Sequence, residues 1–279
     1  MKQRLGSALT LVISLFALWA VSSTSAAEYA EVNDIQLYYE IHGDGPTPVV
    51  MLHGGYDDSD VWELETWLLS YDYTVIEIDS RGHGRSYDGD GPITYELMAS
   101  DTMALLDQLG VGRAHFVGWS DGAVIATQIA SAHPERVNKM VLFGAAYGND
   151  VYTDLFSAIF NDKDLFDAFI GSTFGVKYRA VNPNPENWPV FRDKLYDMWQ
   201  SPCYFADQPV EICLEPLEQI TAPTLVVAGA QEIILRSHTE AIAAAIPGAE
   251  LNIIPLASHF LPKFRSVLTS NIIIGFLKP

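Results

Sequence analysis

The chain is short of the features that assign a protein to a special class. Of its 279 residues only two are cysteine, Cys203 and Cys213, which excludes a small scaffold stapled by several disulfides. No metal-site spacing surrounds either cysteine, and no His-Glu-x-x-His pattern occurs among the seven histidines. No metal and no other cofactor is therefore expected. Positive charge is scarce, with 16 Lys and Arg against 35 Asp and Glu, for a formal net charge of −19. Such a balance argues against nucleic acid or an anionic membrane surface as a partner and disfavours polyanionic substrates. Neither a repeat at a period of 20–50 residues nor a low-complexity tract is present.

Long apolar runs are also lacking. The longest, Leu9 to Val21, spans about 13 residues, short of the roughly 20 that cross a bilayer as a helix. Lys2 and Arg4 precede it and Ser25-Ala26-Ala27 follows, the pattern of a secretory signal cut before Glu28. The expected mature chain, 28–279, keeps 14 of the basic and all 35 acidic residues, a charge of −21. A secreted or periplasmic location, with no stable membrane association, follows from this reading. In an oxidising compartment Cys203 and Cys213 are candidates to pair, closing a loop of about 11 residues that contributes roughly 3 kcal/mol. Two separate buried thiols are the alternative.

What is present is an alternation of strands and helices. Tyr29 to Ile41 alternates around Asn33-Asp34 and reads as a hairpin. Pro48 to Leu52 is a short, continuously apolar strand of the buried parallel type. A helix over Val61 to Leu69 and a strand over Tyr73 to Ile78 follow. Thr94 caps a helix whose apolar residues Leu97, Met98, Leu105, Leu106 and Leu109 precede Gly110. Ala114 to Gly118 is a strand, Ala123 to Ala132 a helix, Val137 to Phe143 a strand. Thr224 to Ala228 and Leu251 to Ile254 are strands separated by a helix over Thr239 to Ile246, and a final helix covers Lys263 to Phe276. This order gives an α/β domain, a mostly parallel sheet with helices on both faces. Residues 145–216 break the alternation: aromatic segments at helical spacing surround the polar break Asn182-Pro183-Asn184-Pro185. They read as a helical lid inserted between two parts of the core, 28–144 and 217–279.

Chemistry is concentrated at Gly118-Trp119-Ser120-Asp121-Gly122, a Gly-x-Ser-x-Gly pentapeptide at a strand-to-helix junction. There a sharp turn holds the serine in a strained conformation, and glycine is required two residues to either side because a side chain would collide with neighbouring backbone. A serine nucleophile needs a base, and the base an orienting acid. His259 follows the last strand and falls at the same sheet edge as Ser120. Glu232, after the preceding strand, completes the order Ser, acid, His, with Asp150 as the alternative acid. His42, His115 and His133 read as packing or surface residues, and His238 as a helix cap or surface residue. The N–H groups of Gly55 and Asp121 are the candidate oxyanion donors, and Trp119, beside the nucleophile, is placed against substrate.

Three motifs, His53-Gly54-Gly55, Asp79 to Ser86 (DSRGHGRS) and Gly118 to Gly122, with Ala257-Ser258-His259-Phe260 as a fourth, together resemble those of the α/β-hydrolase superfamily. The resemblance covers nearly all of the mature chain except the lid. It implies an eight-stranded sheet, a lid after the sixth strand, a Ser–acid–His triad and a two-amide oxyanion hole. It gives the Asp79 to Ser86 segment a structural role, so Arg81 and His83 are not assigned to catalysis. Glutamate at 232 departs from the usual aspartate. Serine at the elbow separates the chain from branches with a carboxylate nucleophile. The expected activity is hydrolysis of an ester or lactone of a small neutral or hydrophobic compound. Carbon–carbon hydrolases, peptidases and perhydrolases use the same triad, and a non-catalytic binding protein on this scaffold is a further alternative. The lid aromatics Phe156, Phe160, Phe169, Phe174, Trp188, Trp199, Tyr204 and Phe205 either line an apolar pocket or pack the lid onto the sheet.

Overall fold

The computed structural model describes residues 26–205 and 213–278. Apart from Ala26 and Ala27, which enter the first strand, the expected signal segment lies outside the described residues. Eight strands form one sheet in the order β1-β2-β4-β3-β5-β6-β7-β8: β1 (Ala26–Val32), β2 (Ile35–His42), β3 (Pro48–Leu52), β4 (Thr74–Ile78), β5 (Ala114–Trp119), β6 (Val137–Phe143), β7 (Thr224–Gln231) and β8 (Glu250–Ser258). The hairpin β1–β2 turns at Asn33 and Asp34, both at positive φ, as the twist of a two-residue hairpin requires. β2 joins β4 antiparallel, and every pairing from β4 to β8 is parallel.

The two faces of the parallel strands carry two separate apolar clusters. Val50, Leu52, Phe116, Met140 and Leu142 point to one side, against α2 (Tyr95–Gln108) and α3 (Asp121–Ala132). Val49, Met51, Val117, Val141 and Phe143 point to the other, against α1 (Glu63–Leu69) and α9 (Ser266–Leu277). Alternate residues of each strand thus serve opposite layers, and burial on both faces is why these strands read as unbroken apolar runs. Thr94 caps α2 by accepting from the Leu97 N–H, and Gly110 follows it at φ 69°.

Boundaries shift where backbone geometry intervenes. The expected helix from Val61 begins as a 3₁₀ turn, Ser59–Trp62, capped by the Asp58 carboxylate, before α1 starts at Glu63. The helix between β7 and β8 is α7 (Arg236–Ala245), and the final helix is broken at Arg265 into α8 (Leu261–Phe264) and α9. β8 runs to Ser258 rather than ending at Ile254, because a register shift against β7 and a positive φ at Leu256 bend the strand without ending it. Between β6 and β7 lie α4 (Asp154–Asn161), α5 (Lys163–Val181) and α6 (Trp188–Trp199). Lys177 of α5 reaches Asp57 and Asp58, Lys194 of α6 reaches Asp88, and the Tyr56 hydroxyl donates to the Arg192 carbonyl. The two cysteines are bonded to each other, which settles the alternative in favour of the bridge. No helix among the described residues is long and apolar enough to cross a membrane.

One core residue runs against the pattern. Glu65 of α1 is fully buried, and neither of its carboxylate oxygens has a hydrogen-bond partner. Burial, with the charge of Glu77 adding to it, pushes its pKa up to about 8. The folded protein therefore holds a proton that the unfolded chain releases near its ordinary value, and stability is lost as pH rises from about 4.5 to about 8. Glu65→Gln is expected to remove that decline: thermal melts in chelator-containing buffer should show the variant gaining on wild type toward pH 8 and not at pH 4. Parallel pH profiles would contradict this assignment.

Candidate active site

The turn between β5 and α3 sets the site. Ser120 has φ 53° and ψ −117°, backbone that L-residues rarely adopt and that costs on the order of 1–3 kcal/mol. Its N–H donates to the Phe143 carbonyl at 2.8 Å, and its carbonyl accepts from Ala123 and Val124. A Cβ on Gly118 would strike the Gly122 carbonyl, and one on Gly122 would strike the Leu52 carbonyl at the end of β3. The glycines are thus needed for close backbone approach on both sides of the serine, as its spacing implied.

Three other strand ends meet Ser120. His259, 6% exposed, follows β8, and its Nδ1 lies 2.6 Å from Oε1 of Glu232, which follows β7. Gly144 at the end of β6 has φ 56°, and a Cβ there would sit 2.8 Å from that same Nδ1; only glycine leaves the imidazole its place. Burial pushes the Glu232 carboxyl up, but the His259 charge, its hydrogen bond and the N–H groups of Ile233 and Gly229 outweigh it and hold the group below its ordinary value. Asp150 is elsewhere: it lines a separate hollow with His238, because the chain turns away after β6. His238, read as a helix cap or surface residue, is half-buried and accepts from the Tyr147 N–H, and burial lowers it to about 4. His53 and His83 lie buried side by side, His53 Nε2 accepting from the Ser80 N–H, in keeping with a structural role.

Gly54, Gly55, Trp119, Ser120, Asp121 and His259 all line one pocket. Asp121 opens α3, so its N–H has no acceptor within the helix. A Cβ on Gly55 would collide with Trp199 and the Asp121 carboxylate. Trp119 lines the pocket, yet it is buried and its indole N–H donates to the His259 carbonyl at 2.8 Å. Its contact is thus with the loop carrying the histidine as well as with the pocket.

The Asp121 side chain was not anticipated. Fully buried, it accepts from the Tyr95 hydroxyl at 2.8 Å and from the Trp199 indole at 3.1 Å. Burial raises its pKa to about 6 despite those donors and two nearby histidines. The two hydrogen bonds disperse the charge of the buried carboxylate. Their partners lie 26 and 78 residues away in the chain, and no local pattern signals them. The remaining walls are apolar: Phe156, Phe160, Phe169, Phe174 and Trp199 from the inserted helices, with Val124, Ile233, Ile234 and Phe260 from the core. Trp188, Tyr204 and Phe205, by contrast, pack within the protein. The aromatic set is therefore divided between the two expected roles.

Residues 49–263 match a family model, that of the alpha/beta hydrolase family. The chain belongs to the alpha/beta hydrolase family. Serine hydrolase BPHL of Homo sapiens is 28% identical over 255 residues, covering 88% of this chain and 83% of that protein. The 2-hydroxy-6-oxononadienedioate/2-hydroxy-6-oxononatrienedioate hydrolase 2 of Pseudomonas putida is 27% identical over 92% of this chain and 98% of its own. A solved structure of Est816, described as an N-acyl homoserine lactone degrading enzyme, superposes with a TM-score of 0.72 at 28% identity, covering 89% of this chain and all of the other.

The geometry separates the two candidate acids. Glu232→Gln in this hydrolase should lower kcat by about 10³–10⁴-fold, as loss of the orienting carboxylate does elsewhere, whereas Asp150→Asn should stay within about twofold of wild type. Steady-state rates of both variants check this, and the reverse ranking would assign the acid to Asp150.

Proposed function

We propose that this hydrolase cleaves an ester or lactone of a small neutral or hydrophobic compound through an acyl-enzyme on Ser120. The observation that carries the reading is the pocket itself: an aromatic chamber that opens onto Ser120 and His259 and, among the described residues, has no Lys or Arg in its lining. Such walls favour an apolar acyl group and leave a substrate carboxylate without a counter-ion. That weighs against the dicarboxylate named for the Pseudomonas putida relative and toward the neutral lactone named for Est816.

In this reading the Ser120 hydroxyl attacks the carbonyl carbon while its proton passes to Nε2 of His259. Glu232 holds the Nδ1–H and stabilises the imidazolium. The N–H groups of Gly55 and Asp121 receive the oxyanion. Collapse expels the alcohol oxygen, which takes the proton from His259; in a lactone it stays tethered to the acyl group. Water then gives a proton to His259 and attacks the acyl carbon, and Ser120 leaves with that proton. No step calls for a cofactor. Residues 145–216 act as the lid, their helices supplying one wall of the chamber. We place the mature protein beyond the cytoplasmic membrane, a location that the Cys203–Cys213 bridge supports.

The test is turnover of a matched panel: p-nitrophenyl esters of several chain lengths, neutral lactones with apolar side chains, and an ester bearing a terminal carboxylate. Neutral apolar members should be favoured over the anionic one by at least about tenfold, since an unpaired carboxylate in an apolar site costs well over 1 kcal/mol, and Ser120→Ala should abolish turnover. Preference for the anionic ester would overturn the substrate class. A folded protein that binds the panel but turns over none of it would indicate a binding protein.

A further inference from the structure

A second cluster of chemically active side chains lies away from the pocket, beneath α1. The antiparallel pairing of β2 with β4 sets Glu40 opposite Glu77, and His42, two residues along β2, projects on the same face. Nε2 of His42 lies 3.2 Å from Oε2 of Glu40 and 3.2 Å from Oε2 of Glu77. Neither contact is aligned as a hydrogen bond, and the buried Nε2 atom has no hydrogen-bond partner. One ligand atom from each of the three residues falls within 4.8 Å of the others.

These separations suit a shared ion as well as an imidazolium held between two carboxylates. Two donors each about 2.1 Å from a common Zn²⁺, subtending about 100°, stand about 3.2 Å apart. The remaining carboxylate oxygens are held from outside, as ligating carboxylates commonly are: Oε1 of Glu77 accepts from the Thr66 hydroxyl at 2.5 Å, and Oε1 of Glu40 accepts from the Tyr38 hydroxyl. All three ligand residues border a solvent-facing cavity of about 510 Å³ shared with Asp60 and Glu63, which leaves room for water to complete a coordination shell.

We propose that Glu40, His42 and Glu77 bind a divalent transition-metal ion, Zn²⁺ by preference, and that the ion clips β2 to β4. One imidazole and two carboxylates suit zinc or manganese more than calcium, and affinity rises from manganese to zinc. The cluster shares no residue with the lining of the active pocket, so the ion acts on stability rather than on the reaction.

Tag-free protein, stripped with chelator and titrated with ZnCl₂ by calorimetry, is expected to bind one ion per chain and to melt at higher temperature with it. Mn²⁺ should bind more weakly and Ca²⁺ not at all. His42→Asn and Glu40→Gln should weaken binding by at least about a hundredfold, and Tyr38→Phe by about tenfold through loss of the outer hydroxyl. Ester turnover of His42→Asn and Glu40→Gln should equal that of wild type, and His259→Ala should bind the ion normally. Circular dichroism confirms folding, and Glu40→Gln carries the test if His42→Asn unfolds. The proposal is overturned if folded wild type shows no saturable one-to-one binding, which would leave an imidazolium between two carboxylates. It is equally overturned if binding survives both ligand substitutions or is lost in His259→Ala.

Discussion

Ser120 is held where three backbones approach closer than any side chain permits. Gly118 presses on the Gly122 carbonyl, Gly122 presses on the Leu52 and His53 carbonyls, and the Ser120 N–H reaches the Phe143 carbonyl. The strain at φ 53° persists because β3, β5, β6 and α3 over-determine it. Everything else at the site is placed relative to that turn. α3 starts there and so presents the Asp121 N–H. β3 ends beside it and delivers Gly54 and Gly55. The ends of β7 and β8 lie at the same edge and carry Glu232 and His259.

The same economy of space recurs around the histidine. Gly144 yields room to the imidazole, Glu232 binds its inner nitrogen, and the Trp119 indole fixes the carbonyl of its own residue. The pentapeptide thus carries Ser120 and also, through Trp119, a tether for the loop of His259, 140 residues further on. The inserted helices add a third tie. Trp199 at the end of α6 packs on Gly55 and donates to Asp121, so one side chain touches the loop after β3, the start of α3 and the apolar chamber. Packing, hydrogen bonding and pocket shape are coupled at that point.

The layered sheet was readable because buried parallel strands leave unbroken apolar runs, and Val49 to Leu52, Met140 to Phe143 and Leu225 to Ala228 are such runs. Ser120, His259 and Glu232 were readable because each follows a strand at the edge where parallel strands end. Less legible were features that depend on distant contacts. The continuation of β8 past Ile254 rests on a bulge against β7, and the break at Arg265 falls within a segment apolar enough to pass for one helix. Asp121 reads as an ordinary first-turn acid of a helix; its bonds to Tyr95 and Trp199 exist only once α2 and α6 are packed above it. Likewise Glu40, His42 and Glu77 look like scattered strand charges until the β2–β4 register sets them together.

In the proposed reaction Ser120 is a nucleophile activated by His259. Intact-mass and peptide-mapping spectrometry of the folded protein treated with a fluorophosphonate tests it most directly. The expected result is a single adduct per chain on the peptide carrying Ser120, formed at least about a thousandfold more slowly in His259→Ala, in line with removal of a catalytic base. A folded wild-type protein that takes no adduct, or takes it on another residue, would contradict the claim.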